Sequence, residues 1–73
     1  MRYAVIIEWA ETNYSAYVPD LPGCVSVGDT VEEVTNNIRE AIEFHLEGMR
    51  ADGDPIPEAR TRVAVVEVAD AAA

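Results

Sequence analysis

Thr30 to Arg50, TVEEVTNNIREAIEFHLEGMR, decides the fold, because its apolar residues recur at helical spacing and the rest of the chain has to cover them. At 100° per residue Val31, Val34, Ile38, Ala41, Ile42, His45 and Met49 share one side, and Glu32, Glu33, Asn36, Arg39, Glu40, Glu43, Glu47 and Arg50 share the other. The pattern predicts an amphipathic helix. Thr30 is placed to cap its first turn and Glu33 to complete a capping box, with Glu32 and Glu33 at the positive end of the helix dipole. Gly48 lies inside the pattern, so the helix is expected to run to about Arg50 and to stop before Gly53.

Upstream, Arg2 to Trp9 (RYAVIIEW) is rich in β-branched and aromatic residues and reads as a strand, with Tyr3, Val5, Ile7 and Trp9 on one face and Ala4 and Ile6 on the other. Ala10 to Asn13 has hairpin length, which makes Tyr14 to Val18 an antiparallel partner. Pro19 to Gly23, PDLPG, is a stiff loop in which Leu21 is either tucked beneath the backbone, the commoner arrangement, or offered to a partner. Cys24 to Val27 reads as a third short strand, and Gly28-Asp29 turns into the helix cap. Beyond the helix, two prolines in ADGDPIPEA mark an extended connection, Arg62 to Val68 reads as a last strand, and Ala69 to Ala73 is expected to fray. The order is β-β-β-α-β, an α+β domain over residues 1–68 with an antiparallel-rich sheet and one helix on one face. Both the first and the last strand are apolar on both faces, and one helix covers only one face. A homodimer or homotetramer, a protein ligand, or both are therefore expected. The last strand has the further option of pairing with a neighbouring subunit.

Fourteen acidic residues against five arginines and no lysine give a net charge of −9. Direct nucleic-acid binding draws on clustered cations and is not expected, whereas a basic protein partner suits this field. No leader or membrane-length apolar run is read from the sequence, and a cytoplasmic protein without a disulfide is expected from the single Cys24. Cys24 and the lone His45 read as packing residues rather than as nucleophile or metal ligand. Glu8, Asp20 and Glu67 are the carboxylates that could converge on a metal, but an anionic substrate would meet the strongly acidic field, so no enzyme activity, metal or cofactor is expected.

Tyr14 to Cys24 (YSAYVPDLPGC), Gly28-Asp29-Thr30, Glu32-Glu33, Glu40-Ala41-Ile42, His45-Leu46-Glu47, Gly53 and Pro55-Ile56-Pro57 together resemble the HicB-type antitoxin domain, over about three quarters of the chain. The resemblance implies a partial ribonuclease H-like fold without the nuclease's metal-binding carboxylates. It also implies that the chain binds and silences a small basic toxin of the HicA type, an mRNA-cleaving ribonuclease with a double-stranded-RNA-binding fold. Many members add a C-terminal DNA-binding segment; residues after Pro57 here read as one strand and an alanine tail, so operator binding is not expected of this stretch. On this reading Trp9, Tyr14, Tyr17 and Leu21 form an apolar contact patch at the hairpin end, and Asp20 stands in for an RNA phosphate. The alternative is a stand-alone oligomeric module that binds a small ligand or serves as a scaffold.

Overall fold

The computed structural model describes residues 1–70. Three short strands, β1 (Ile6–Trp9), β2 (Tyr14–Tyr17) and β3 (Val25–Gly28), form an antiparallel meander in the order β1-β2-β3, and a 21-residue helix, α1 (Val31–Ala51), packs across β3 and β2. The α+β architecture is the one expected. The pairing puts Ile7 opposite Ala16 and Trp9 opposite Tyr14, and sets Ala16 opposite Ser26 and Tyr14 opposite Gly28. Side chains alternate along each strand, so Ile7, Ala16, Ser26 and Gly28 face the helix, and Ile6, Tyr17, Val25 and Val27 face away from it.

The helix begins and ends for local reasons. The Thr30 hydroxyl accepts from the Glu33 N–H at 3.0 Å, while Glu32 and Glu33 occupy the first turn. At the other end the Gly53 N–H donates to the Arg50 carbonyl (3.2 Å) and the Asp54 N–H to that of Met49 (2.9 Å), with Gly53 at φ +73°. This crossed pair of bonds is a Schellman closure, and its left-handed residue favours glycine.

The core is Ala16, Val18, Leu21, Cys24, Val34, Ile38 and Leu46, flanked by half-buried Tyr3, Val5, Ile7, Tyr14, Ala41, Ile42 and Ile56. Leu46, left off the apolar side in the sequence reading, is buried, and Phe44 stands 79% exposed. The stiff loop explains why Leu21 is fully buried. Its N–H donates to Val18 (3.0 Å), the Cys24 N–H donates back to Leu21 (3.0 Å), and this pair of turns drives the side chain inward.

The last expected strand is the main difference. Residues 62–68 join no ladder among the described residues and lie exposed, without turn or helix. The radius of gyration is 15.0 Å, against about 11 Å for a compact chain of this length. The longest extent is 55 Å, so the segment runs away from the body as an arm. The β pattern alone does not make a strand: among the described residues nothing lies beside the segment to pair with it. The expected fraying of Ala69 to Ala73 falls mostly outside the described residues.

Candidate functional site

The residues expected to form one contact patch occupy three places. Trp9 and Tyr14 are cross-strand partners at the hairpin end, with ring centroids 4.9 Å apart in an edge-to-face arrangement, and Trp9 is 58% exposed. Tyr17 lies three residues from Tyr14, an odd step, so it emerges on the opposite face between Ile6 and Val25. Leu21 is in the core at the far end of the sheet. It is therefore a packing residue and not part of an exposed patch.

Asp20 is also differently employed than expected. One carboxylate oxygen accepts from the Arg60 and Thr61 N–H groups, both at 2.9 Å, and the other accepts from the Thr61 hydroxyl at 2.8 Å. These bonds, first the Thr61 N–H and then its hydroxyl, hold the carboxyl below the usual carboxylate range. The group that was to mimic a phosphate is a latch on the segment after the helix. A second tie comes from the Tyr3 hydroxyl, which donates to the Pro57 carbonyl at 2.6 Å.

The latch carries a pH dependence. Because the native carboxyl is harder to protonate than the unfolded one, its stabilisation is complete above the unfolded value of about 4 and is lost as pH falls through the lower native value. The protection of the Arg60 and Thr61 amides, their exchange measured against the intrinsic rate at the same pH, is expected to fall over that acid range in the native protein. In Asp20→Ala it should be low already at neutral pH; unchanged protection in that variant would show that the latch does not hold the segment.

Two surfaces remain that the sequence reading described only in part. The sheet face away from the helix presents Ile6, Tyr17, Val25 and Val27, all but Ile6 well exposed. That is the uncovered apolar face expected from one helix on one sheet. On the helix side, α1 lies over β3 and β2 and leaves a groove of about 510 Å³ beside β1, with Tyr3, Val5, Ile7, Ile38, Ile42 and Leu46 in its walls.

Chemistry finds little to work with. Burial pushes the Cys24 thiol up, away from the thiolate form that reacts. His45 is half-buried beside Phe44, Gly48 and Met49 in a shallow groove next to β3. Among the described residues no three His, Cys, Asp or Glu side chains come together as metal ligands, and no helix is long and apolar enough to cross a membrane.

Residues 3–71 match the model of a family described as the HicB-like antitoxin of bacterial toxin-antitoxin systems. An uncharacterized 14.9 kDa protein of Haemophilus phage HP1 is 47% identical over 58 residues, 80% of this chain but 44% of the phage protein, so the chain spans less than half of that relative. A UPF0150 protein of Synechocystis is 44% identical over 78% of this chain and 73% of its own, and one of Helicobacter pylori is 48% identical over 71% and 72%. Among solved structures, a chain of the HicA3 and HicB3 toxin-antitoxin complex superposes with a TM-score of 0.71 at 28% identity, covering 82% of this chain and 70% of that one.

Proposed function

The chain belongs to the HicB-like antitoxins of bacterial toxin-antitoxin systems, and from that premise we propose that it is a non-enzymatic antitoxin that binds and inhibits a small basic, mRNA-cleaving toxin of the HicA type. The observation that carries the reading is the likeness to a chain of a toxin-antitoxin complex, at 28% identity over 82% of this chain. Charge supports it: a net charge of −9 complements a protein whose own ligand is RNA. So does the uncovered apolar surface, where Tyr17 with Val25 and Val27 on the outer face, and Trp9 with Tyr14 at the hairpin end, supply aromatic anchors of the kind that dominate protein interfaces. Leu21, buried, fixes the loop that joins Tyr17 to Val25, and Asp20 ties the segment at Arg60 and Thr61 to that loop. Inhibition takes place in the cytoplasm, where the mRNA is.

The test is cleavage of RNA by the basic protein encoded next to this chain, with and without the purified protein, across a salt series. Stoichiometric inhibition that weakens as salt rises is expected, because rim charges act through association and are screened within about 10 Å at 0.1 M salt. Undiminished cleavage at excess protein would overturn the reading. It would then favour the stand-alone oligomeric module, for which the unpaired arm of residues 62–68 is the supporting observation.

A further inference from the structure

The side of α1 turned away from the sheet carries two features that the core does not use. Phe44, the only phenylalanine of the chain, stands 79% exposed in the second half of the helix. Beside it a groove of about 420 Å³ opens between α1 and the chain at Gly23 to Val25, with Ala41, His45, Gly48 and Met49 lining it from the helix. Nothing lies within 4 Å of a Cβ built at Gly48, so the groove is open down to the helix backbone there.

The second feature is a line of carboxylates. Glu33, Glu40 and Glu47 are exposed, repeat every seven residues and lie within about 60° of Phe44 around the helix axis. None of them is in an ion pair among the described residues: the Arg39 guanidinium donates to the Asn36 side chain at 3.0 Å, and Arg60 pairs with Glu58. The line starts at the hairpin end, because Gly28, the partner of Tyr14, meets α1 at Val34. It also offers the free negative charge that Asp20, engaged by Arg60 and Thr61, does not.

Spacing selects the shape of the occupant. Seven residues of helix span about 10.5 Å, close to two turns. A strand covers that distance in about three residues, an odd step that throws successive cations to opposite faces. A second helix at a shallow crossing angle keeps the seven-residue repeat in register, and the small residues Ala41 and Gly48, also seven apart, let its backbone come close.

Resting on the reading of this chain as an antitoxin, we propose that a basic amphipathic helix of the toxin lies along the outer side of α1. Its Lys or Arg side chains, two turns apart, meet Glu33, Glu40 and Glu47, and an apolar side chain enters the groove beside Phe44. The groove supplies the anchor of a helix-in-groove contact, and the carboxylates set its register and raise its encounter rate.

The probe is the basic protein encoded next to this chain, its RNA cleavage and its association rate followed against the full chain and three variants across a salt series. Phe44→Ala should weaken inhibition about thirtyfold, as loss of a central anchor does. Gly48→Leu has room for its side chain in the free protein but fills the groove, and should weaken inhibition by about tenfold or more. Glu40→Arg combined with Glu47→Arg should slow association about tenfold at low salt, a difference that closes as salt rises. All four positions are exposed, so the urea midpoints should stay at or above the parental one except for small losses. Folded variants that inhibit as the parent does would overturn this placement and leave the antitoxin reading standing. A parent that leaves cleavage undiminished would overturn that reading, and this placement with it.

Discussion

Gly28→Ala is expected to remove about 3 kcal/mol of stability, the upper part of the range for overpacking a close-fitted site. A Cβ at Gly28 would lie 2.6 Å from the Val34 nitrogen and 2.8 Å from its Cα, distances that real Cβ atoms do not adopt. Those atoms are helix backbone, and the Val34 N–H already donates to Thr30 at 2.9 Å in the first turn. A flexible side chain could swing aside; this backbone cannot, so the helix has to lift from β3 or the strand has to bend. For a domain of this size, with a total of roughly 4 to 10 kcal/mol, the loss is a large fraction. Urea titration should show the midpoint falling at constant slope. Gly48→Ala supplies the opposite sign from the same chemical change. Nothing lies within 4 Å of a Cβ there and the position is helical, so it should gain stability by up to about 1 kcal/mol. Equal effects from the two alanines would refute the close-approach argument.

The helix was legible because its information is local. Thr30, the paired glutamates and Gly53 each act within one turn: Thr30 caps it, Glu32 and Glu33 sit at the positive end of the dipole, and Gly53 closes the other end, while the expected return bond of a capping box, from the Thr30 N–H to the Glu33 carboxylate, is not among the bonds of the described residues. The first three strands were legible in chain order and the β1-β2 pairing with them, although that hairpin turns through Glu11 at φ +71°, where the sequence offers no glycine or asparagine to announce it; the β2-β3 pairing was not read. Leu46 was within reach: it lies four residues after Ile42 and eight after Ile38, on the same side of the helix. The close approach of Gly28 to Val34 was not, since it depends on how two elements meet rather than on either alone.

The candidate surface divides along the same line. Alternation already separates Tyr17 from Tyr14, so a single aromatic patch was inconsistent with the strand that carries both. The role of Asp20 is a contact across 41 positions, and no local pattern sets its partner apart from the other hydroxyls and amides. The arm shows the limit in a different form. Its period-2 pattern reads as a strand, yet residues 62–68 join no ladder among the described residues, because a strand needs a partner beside it and the pattern does not say whether one is there.

Leu21→Ala and Trp9→Ala are expected to fail in opposite ways, and the contrast separates the core from the contact surface. Leu21 is fully buried among Val18, Cys24, Val34 and Ile38, beneath a loop whose turns restrict collapse. Truncation should cost about 2 to 5 kcal/mol, combining lost transfer energy with an incompletely filled cavity. At the upper end the chain would be substantially unfolded at 25 °C. Trp9 is 58% exposed and packs edge-on against Tyr14, so its loss should cost stability only about 0.5 to 1.5 kcal/mol. If Trp9 anchors the toxin, its removal should weaken binding by about 2 kcal/mol, some thirtyfold, with the urea midpoint little changed. For Leu21→Ala the fraction that remains folded should bind with near-parental affinity, which titration calorimetry with the active fraction fitted would reveal. A folded Leu21→Ala protein that no longer binds would return Leu21 to the contact surface. Parental affinity in Trp9→Ala would move the interface from the hairpin end to the outer face of Tyr17, Val25 and Val27, where Tyr17→Ala is the next substitution to make.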